Sequence, residues 1–324
     1  MKNKNDLVSV IVPVFNVGKY IEKTIETLLN QTYLNIEILL IDDGSTDNSG
    51  KICDIYAEKC NKIKVFHQNN KGVSSARNLG INNARGVYII FVDGDDYVNP
   101  KYINTLYNDI IENNVDMAVQ MYFNYYNEKK IVRNIENDIN KNMTGIEFVD
   151  FQILGGKDTT VYAKIYRKQI LDRYNIRFNE SITNLEDMLF LYYYSIYCDK
   201  INYSSISNYY RIVRDTGVAF SRFNEKKIDA LKVFDIINNE LLRINNKNFI
   251  KKNLLNKFNM ILIFCSSIIW EKYENKQLLK SLFLQAENIL VLLNGKITIK
   301  LKFKYYLLKY LPKIYIFLKY IKIN

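Results

Sequence analysis

Short apolar runs alternate with amphipathic stretches through the first 120 residues of the chain. This alternation is typical of βαβ units, in which parallel strands are joined by helices. One helix is predicted over residues 20–29, where apolar side chains repeat at helical spacing, and another from Pro100 to about Asn113. We therefore predict an α/β domain with a mostly parallel central sheet. Its strands are predicted at residues 8–14, 36–41, 63–66, 87–92 and 115–120.

The pattern changes twice along the rest of the chain. From about residue 122 it becomes a mixture of strand and helix patterns, which ends near Arg222. Beyond residue 224 the apolar residues repeat at helical spacing only, so this part is predicted to be helical. The predicted organisation is a domain over 1–222, with halves 1–120 and 121–222, and a helical C-terminal region over 223–324.

The positive charge is concentrated at the end of the chain. Of the formal net charge of +11, +8 comes from eight lysines in residues 295–324, which contain no acidic residue. The remaining charge is too small for a protein-wide basic face, so no nucleic acid partner is predicted. The tail also contains many aromatic and aliphatic residues, and it has no uncharged run near the ~18 residues of a spanning helix. We predict two short helices on an anionic membrane surface; the alternative is a helical hairpin packed on the domain.

Cysteine usage and the N-terminus bear on the cellular location. Four cysteines lie far apart without a CxxC pair, and the chain has one histidine, so no zinc site is predicted. The apolar run after residue 7 is not predicted to be a signal peptide, because Asp6 and Pro13 interrupt the pattern and no small-residue cleavage site follows. The predicted location is cytoplasmic, peripheral to the inner face of the cell membrane.

Three carboxylates crowd the end of one apolar strand. They belong to Asp93, Asp95 and Asp96, and Gly94 separates the first two. Carboxylates this close repel one another unless a cation neutralises them. Mg²⁺ and Mn²⁺ prefer oxygen ligands of this kind and can bridge them to the oxygens of a diphosphate. The alternative is a solvated acidic turn or a helix cap before Pro100.

Two further segments carry groups that suit a nucleotide. Asp42 and Asp43 end another apolar strand and offer acceptors for the imide N–H of a uracil and for a ribose hydroxyl. A helix is entered through Gly72, where backbone amides together with Lys71 and Arg77 suit a diphosphate. In a parallel sheet such segments meet beyond the carboxyl ends of the strands. Helix capping and ordinary surface cations are the alternative explanation.

Five segments occur in order along the chain: VSVIVPVFN at 8–16, QTY at 31–33, DDGS at 42–45, GVSSARN at 72–78 and DGDD at 93–96. Together they resemble the nucleotide-sugar domain of the inverting family 2 glycosyltransferases, of the type found in bacterial polysaccharide biosynthesis. The resemblance covers roughly residues 5–222. It implies a GT-A fold, which is a Rossmann-like α/β domain, and metal-dependent transfer of a sugar from a UDP-sugar.

The resemblance also implies roles for individual residues. Asp43 is expected to contact the uracil. Asp95 is expected to be the direct metal ligand, with Asp93 near the ribose or the water shell of the metal, while Asp96 caps the following turn. The other residues expected at the nucleotide site are Pro13, Phe15, Asn16, Asp42, Lys71, Arg77, Asn78 and Gly94.

A carboxylate from the second half of the domain is expected to act as the catalytic base, and the segment at 184–190 resembles that part of the family. An inverting transfer needs this base opposite the leaving diphosphate. Asp187 is the predicted base and Glu186 the second candidate, although Leu185 stands where many members have glycine. The alternative is an ordinary acidic helix start.

Roles are also predicted for three other polar residues. Arg211 is predicted to stabilise the charge that develops on the leaving phosphate. His67 lies at the end of a strand and is predicted to pack there. Lys164 is interpreted as a surface cation, with an acceptor-side role as the alternative.

These features predict an inverting transferase in which Asp187 deprotonates an acceptor hydroxyl. A tail on the membrane would favour a glycan or lipid-linked saccharide as acceptor, as in the assembly of capsular or other cell-surface polysaccharides. Two alternatives are a non-catalytic, membrane-associated protein that binds nucleotide sugars and a sugar nucleotidyltransferase. The second normally has a Gly-rich, Arg-containing loop after the first strand, which the residues at 14–17 do not resemble.

Overall fold

The computed structural model describes residues 5–126, 130–133, 140–213, 222–294 and 297–323. The chain forms two compact units. Unit 1 consists of Met1–Ile153, Asp158–Ser181 and Glu186–Gly217, and unit 2 consists of Leu154–Lys157, Ile182–Leu185 and Val218–Asn324. The division that the sequence predicts at residue 222 stays a prediction.

Unit 1 is built on one ten-stranded sheet with the strand order β3-β2-β1-β4-β9-β6-β10-β5; β7 pairs with β6 and β8 with β10. Strands β1 to β4 are mutually parallel, and β9 runs antiparallel to both β4 and β6. The strands are β1 (Val8–Val14), β2 (Ile36–Asp42), β3 (Ile63–His67), β4 (Tyr88–Phe91), β5 (Tyr97–Val98), β6 (Met117–Tyr126), β7 (Lys130–Arg133), β8 (Asn140–Met143), β9 (Lys164–Arg167) and β10 (Ile201–Val213).

Helices pack on this sheet and connect its strands. The predicted helices at 20–29 and 100–113 are observed as α1 and α4, and the five predicted strands are observed as β1 to β4 and β6. The predicted α/β fold with a mostly parallel sheet is therefore confirmed. The helices of unit 1 are α1 (Ile21–Leu29), α2 (Ser49–Lys59), α3 (Val73–Asn83), α4 (Tyr102–Glu112), α5 (Gly145–Phe148), which continues as a π-helical turn, α6 (Lys168–Arg173) and α7 (Glu186–Ser195).

Close packing of α3 on β1 depends on one glycine. A Cβ added at Gly80 would lie 2.4 Å from a side-chain carbon of Ile11, so any larger residue would push the helix away from the strand. Gly72 precedes α3 with a φ of 91°, in the left-handed region that favours glycine. These two glycines fix where the N-terminus of α3 lies relative to the sheet.

The carboxyl ends of three parallel strands lie along one edge of the sheet. In the observed register, Val14 pairs with Asp42 and Ile11 pairs with Phe91. The residues that follow these strands, beginning with Phe15, Asp43 and Val92, therefore come close together. In α/β sheets this edge is where ligands bind.

Unit 2 is helical in the part of the chain that the structure describes. Within this unit, α9 (Lys247–Trp270) is the one described helix that is long and apolar enough to cross a membrane. Of its most apolar stretch, 44% is buried. The same composition occurs in core helices, and Phe258, Ile261 and Cys265 of α9 are buried within the unit. The helices are α8 (Ala230–Arg243), α9 (Lys247–Trp270), α10 (Lys276–Leu292), α11 (Ile299–Tyr310) and α12 (Pro312–Ile323), preceded by a 3₁₀ turn at Glu225–Asp229.

Candidate active site

Asn16 ties the end of β1 to the loop after β2. Its φ is 52°, an uncommon conformation that an asparagine adopts more readily than most residues. Its Oδ1 accepts hydrogen bonds from the backbone N–H groups of Thr46 and Asp47, at 2.8 and 3.3 Å. Beside it, the ring of Phe15 is 44% exposed at the same edge. Pro13, Phe15 and Asn16 thus form one wall of this edge, where the sequence predicts the nucleotide.

Asp43 organises the loop that leads into α3. Its Oδ1 accepts from the Lys71 N–H at 2.8 Å and from Gln68 Nε2 at 2.7 Å, while its Oδ2 accepts from the Gly72 N–H at 2.8 Å. The side chain of Lys71 is exposed beside this loop. Asp43 therefore holds the open, glycine-led start of α3 next to the end of β2. Its predicted contact with uracil stays a prediction.

Asp42 is held by a histidine that the sequence analysis assigned to packing. Nδ1 of His67 lies 2.9 Å from Oδ2 of Asp42, and Nε2 of His67 lies 3.0 Å from Oδ1 of Asp54. Half of the imidazole is exposed, at 49%. The packing prediction for His67 was wrong, because the ring lies between two carboxylates at the surface and not in the core.

Arg77 contacts three carboxylates, and its predicted contact with a diphosphate stays a prediction. Its side chain is 4% exposed, and Nη2 lies 3.1 Å from Oδ1 of Asp93. Nη1 donates to Oδ1 of Asp187 at 2.6 Å and lies 3.6 Å from Oε1 of Glu186. Its Nε has no hydrogen-bond partner among the residues that the structure describes. Arg77 thus bridges the acidic end of β4 to the acidic start of α7, and both ends of its guanidinium are already engaged by carboxylates.

Asn78 also has protein partners, and its predicted place at the nucleotide site stays a prediction. Its Nδ2 donates to the carbonyl oxygen of Phe178 at 2.9 Å and to Glu180 at 3.0 Å, and its Oδ1 accepts from the Phe178 N–H at 2.8 Å. The side chain is buried. These bonds give Asn78 a structural role, which is to hold the segment around Phe178 against α3.

The turn after β4 is shaped by a close approach to β1. A Cβ added at Gly94 would lie 2.8 Å from the carbonyl oxygen of Pro13, and the φ of Gly94 is not positive. Glycine is therefore needed here for space. The consequence is that the Asp93 and Asp95 backbone lies directly against the end of β1.

Asp96 anchors β10 to this turn. Its Oδ2 accepts from the Tyr209 hydroxyl at 2.6 Å, and its Oδ1 accepts from the Ile212 N–H at 2.7 Å. The Tyr209 hydroxyl in turn accepts from the Asp93 N–H at 3.2 Å. Burial, and then the charges of Asp93 and Asp95, raise the pKa of Asp96 well above its ordinary value. Asp96 is therefore part of the scaffold that holds β10 against this turn.

The donor set fits a cation that is shared with a substrate. Among the residues that the structure describes, no three His, Cys, Asp or Glu side chains are grouped so that they could hold a metal ion alone. Mg²⁺ is commonly bound by one or two carboxylates together with substrate phosphates. Asp93 and Asp95 are the candidate carboxylates in the turn after β4.

Asp187 and Glu186 begin α7 and both face Arg77. Their side chains are 20% and 15% exposed. Burial, followed by the charge of Asp187, raises the pKa of Glu186 to about 7. Burial also raises the pKa of Asp187, while the charge of Arg77 opposes this shift. Leu185, directly before them, has a φ of 63°, in the left-handed region that favours glycine.

Lys164 is a buried residue, so its interpretation as a surface cation was wrong. Its side chain is fully buried in β9, and Nζ donates to Oδ2 of Asp158 at 2.8 Å. The preceding Ala163 has a φ of 56°, another left-handed residue without a glycine. The apolar and aromatic residues on both sides of Lys164, VYA at 161–163 and IY at 165–166, were the sequence signal of a buried strand.

Arg211 lies in β10 next to Ile212, which is bonded to Asp96. Burial alone would lower the pKa of Arg211. The nearby Tyr162, Tyr122 and Asp96 have a larger, opposite effect, so the pKa is raised. Arg211 therefore sits among acidic groups of the site. Its predicted contact with a leaving phosphate stays a prediction.

A mostly parallel sheet with acidic and basic side chains gathered at the carboxyl ends of its strands defines an α/β protein whose ligand site is expected at that edge. Residues 9–174, slightly more than half of the chain, match the model of glycosyl transferase family 2. The chain belongs to this family. The resemblance inferred from the five sequence segments is thereby confirmed.

Two curated relatives show the extent of the similarity. Glycosyltransferase GlyG of Streptococcus pneumoniae serotype 4 is 49% identical over 122 residues, which are 37% of this chain and 40% of GlyG. The uncharacterized glycosyltransferase EpsJ of Bacillus subtilis is 38% identical over 188 residues, which are 57% of this chain and 54% of EpsJ. The match spans about half or less of the length of these relatives.

A solved structure has the same fold. The S. aureus TarS fragment 1–349, in complex with UDP-GlcNAc, superimposes with a TM-score of 0.70 and 23% identity; the match covers 94% of this chain and 86% of that chain. At this level of identity the similarity concerns the fold. The predicted GT-A fold is therefore confirmed.

Proposed function

We propose that the protein transfers a sugar from a UDP-sugar to a hydroxyl group of a glycan or lipid-linked acceptor, with inversion at the anomeric carbon. The observation that carries this proposal is the bridge made by Arg77, whose guanidinium contacts Asp93 at 3.1 Å and Asp187 at 2.6 Å. A donor-side carboxylate and a candidate base are thereby held on either side of one buried cation. A single displacement needs a base opposite the leaving diphosphate, and this bridge holds Asp187 near the donor-side carboxylate.

The nucleotide of the donor binds along the edge formed by the ends of β1, β2 and β4. Phe15 offers an exposed ring there, and Asp42 and Asp43 offer carboxylates at the end of β2. The N-terminus of α3 follows Gly72, and its backbone amides suit the diphosphate, with Lys71 nearby. The UDP-GlcNAc complex of TarS, which has the same fold, supports a UDP-sugar as donor.

Asp93 and Asp95 are the residues that would hold Mn²⁺ or Mg²⁺. Bound there, the ion would offset the negative charge that develops on the departing diphosphate. Arg77 keeps the Asp93 carboxylate in place, and Tyr209 fixes the backbone of the same residue. Arg211 adds a positive charge on the β10 side of the turn.

Asp187 accepts the proton of the acceptor hydroxyl. A base must be ionised before it can act, and burial works against ionisation. The charge of Arg77 and a hydrogen bond from the Val161 backbone oppose the effect of burial on the pKa of Asp187. Glu186 stays the second candidate because it faces the same guanidinium. Its raised pKa leaves it partly protonated near neutral pH, which favours Asp187 as the base.

The C-terminal helices attach the protein to the inner face of the cell membrane. Along α11, Ile299, Phe303, Tyr306 and Tyr310 form a stripe with exposed fractions between 53% and 86%. The opposite face of α11 packs within unit 2 through Tyr305 and Leu308. An aromatic and aliphatic stripe among lysines suits an anionic membrane surface. Attachment there favours lipid-linked acceptors of cell-surface polysaccharide synthesis.

The test is release of UDP from a panel of UDP-sugars in the presence of Mn²⁺, for the wild-type protein and for Asp187→Asn. We expect turnover with at least one donor, and a loss of about 10²- to 10⁴-fold in the variant. Binding of UDP, measured by calorimetry, should persist in Asp187→Asn. UDP binding without turnover by the wild-type protein with any donor would point instead to a non-catalytic binding protein, and an unchanged rate in the variant would remove Asp187 from the mechanism.

A further inference from the structure

His67 is the only histidine of the chain, and both of its ring nitrogens face carboxylates. Nδ1 lies 2.9 Å from Asp42, at the end of β2, and Nε2 lies 3.0 Å from Asp54, in α2. A neutral imidazole has one N–H and one lone pair, so only one of these two contacts could then be a hydrogen bond. If both carboxylates are ionised, both contacts can be hydrogen bonds only when each ring nitrogen of His67 carries a proton.

The Asp42 carboxylate is fixed by this contact and by its surroundings. It is 6% exposed, and its Oδ1 accepts from the Ser45 N–H at 3.0 Å. Gly50 leaves room for it, since a Cβ there would lie 2.9 Å from Oδ2 of Asp42. Each carboxylate oxygen of Asp42 therefore has one donor, and the donor to Oδ2 is the His67 ring.

The same histidine begins the loop that Asp43 organises. His67 pairs with Asp42 in the register of β2 and β3, and the next residue, Gln68, donates through its N–H to the Asp42 carbonyl oxygen at 2.9 Å. The side chain of Gln68 donates to Asp43. A change in the contact between His67 and Asp42 is thus transmitted to both carboxylates at the end of β2.

We infer that His67 is a positioning residue whose imidazolium holds the Asp42 carboxylate in the orientation that the nucleoside of the donor requires. This inference rests on the proposed function, because it assumes that a uridine nucleotide binds at the end of β2. Asp42 is the group expected to touch the nucleotide, and His67 acts through it.

The protonation state of His67 therefore controls nucleotide affinity. The hydrogen bond with Asp42 raises the pKa of the imidazole; burial opposes this, and the contact with Asp54 adds to it. Two further titratable groups of the described residues lie in this region: Asp47, and the Cys53 thiol, whose pKa burial raises to about 12, so that it stays neutral. At low pH both contacts of the His67 ring are hydrogen bonds. This arrangement is lost as the pH rises through the raised pKa of His67.

The experiment combines two measurements on protein without a histidine tag. Because the chain has one histidine, its ring signals in an NMR titration belong to His67 and give its pKa directly. The dissociation constant of UDP is measured by calorimetry over the same pH range for wild type, His67→Gln and Asp54→Asn. His67→Gln has no titrating ring, so it serves as the reference for the titration of the diphosphate itself.

Relative to this reference, the wild-type dissociation constant should rise by about tenfold as His67 loses its proton, the effect of losing one hydrogen bond to a charged group. Asp54→Asn should lower the pKa of His67, and the loss of affinity should move to lower pH with it. The inference is overturned if His67→Gln binds UDP as tightly as wild type at low pH, or if affinity does not follow the His67 titration. Failure of the wild-type protein to bind UDP at any pH would overturn the proposed function, and this inference with it.

Discussion

Arg77 and Asp187 are separated by 110 residues in the chain, yet Nη1 of Arg77 donates a 2.6 Å hydrogen bond to Oδ1 of Asp187. The other end of the same guanidinium contacts Asp93. Since the side chain is 4% exposed, the three charges interact with little screening by water. Breaking such a buried arrangement leaves a charge without compensation. The position of the candidate base relative to the acidic turn after β4 thus depends on one residue of α3.

Arg77→Lys tests this bridge. Lysine keeps the charge but replaces the planar fork by a single ammonium, which cannot span both carboxylates in the same way. We expect kcat to fall by about 10²-fold, because misplacing catalytic groups by about 1 Å has effects of this size. The control is Arg85→Lys, whose guanidinium is 64% exposed and contacts Glu37 at 3.0 Å. Equal rates for the two variants would show that the fork of Arg77 is not needed.

A pH-dependent effect on stability is expected from Glu186. Its pKa is raised from 4.5 to about 7 by burial and by the charge of Asp187, so the folded state binds a proton more tightly than the unfolded state. The stabilisation linked to this proton is complete below about pH 4.5 and is lost as the pH rises through about 7. Glu186→Gln mimics the protonated form and should not show this loss.

The free energy of unfolding of Glu186→Gln should therefore match wild type near pH 4.5 and exceed it at pH 8, by up to about 3 kcal/mol. Urea unfolding at several pH values measures this difference. Glu58→Gln, in the exposed part of α2, controls for the removal of a carboxylate as such. A difference from wild type that is the same at every pH would contradict the proposed environment of Glu186.

The strands that form the edge of the site could be predicted from the sequence. The side-chain contacts across that edge could not. Strands β1 and β2 are mostly apolar and were predicted within one residue of their observed ends. Strand β10 mixes serine, asparagine and tyrosine, and no clear period-two pattern marks it. Pairing of Arg77 with Asp187 depends on how α7 returns to the sheet, which no local pattern encodes. Lys164 was misinterpreted because its charge was weighed before its position in a strand.

The backbone conformation at Leu185 gives the reason for a deviation that is already visible in the sequence. The sequence analysis noted leucine where glycine is common, and the observed φ of 63° gives the physical reason. A residue with a Cβ in this conformation costs about 1 kcal/mol more than glycine. The two variants Leu185→Gly and Leu185→Ala both remove the side chain, and only glycine removes the strain.

Leu185→Gly should consequently be more stable than Leu185→Ala by about 1 kcal/mol, measured as the free energy of unfolding in urea. In ordinary helical positions the order is reversed, since alanine is favoured over glycine there by a similar amount. The sign of the difference is therefore decisive. A more stable alanine variant would contradict the left-handed conformation at this position.

The exposed apolar stripe on α11 is expected to contribute to membrane binding. Ile299 and Phe303 lie one helical turn apart and are 86% and 61% exposed. If the stripe enters the interface of an anionic membrane, Ile299→Gln/Phe303→Gln should reduce binding to phosphatidylglycerol vesicles at least about tenfold, because two apolar side chains lose their burial in lipid. Cosedimentation measures this effect. UDP binding in unit 1 should be unchanged.

Leu242→Gln is the matched control, because this leucine is 55% exposed on α8 of the same unit and lies outside the stripe. It should bind vesicles as the wild-type protein does. Phosphatidylcholine vesicles separate the contribution of charge from that of apolar contact, since lysines interact with anionic headgroups. Equal binding by the stripe variant and Leu242→Gln would assign the stripe another role, and a wild-type protein that does not bind anionic vesicles would remove membrane attachment from the proposal.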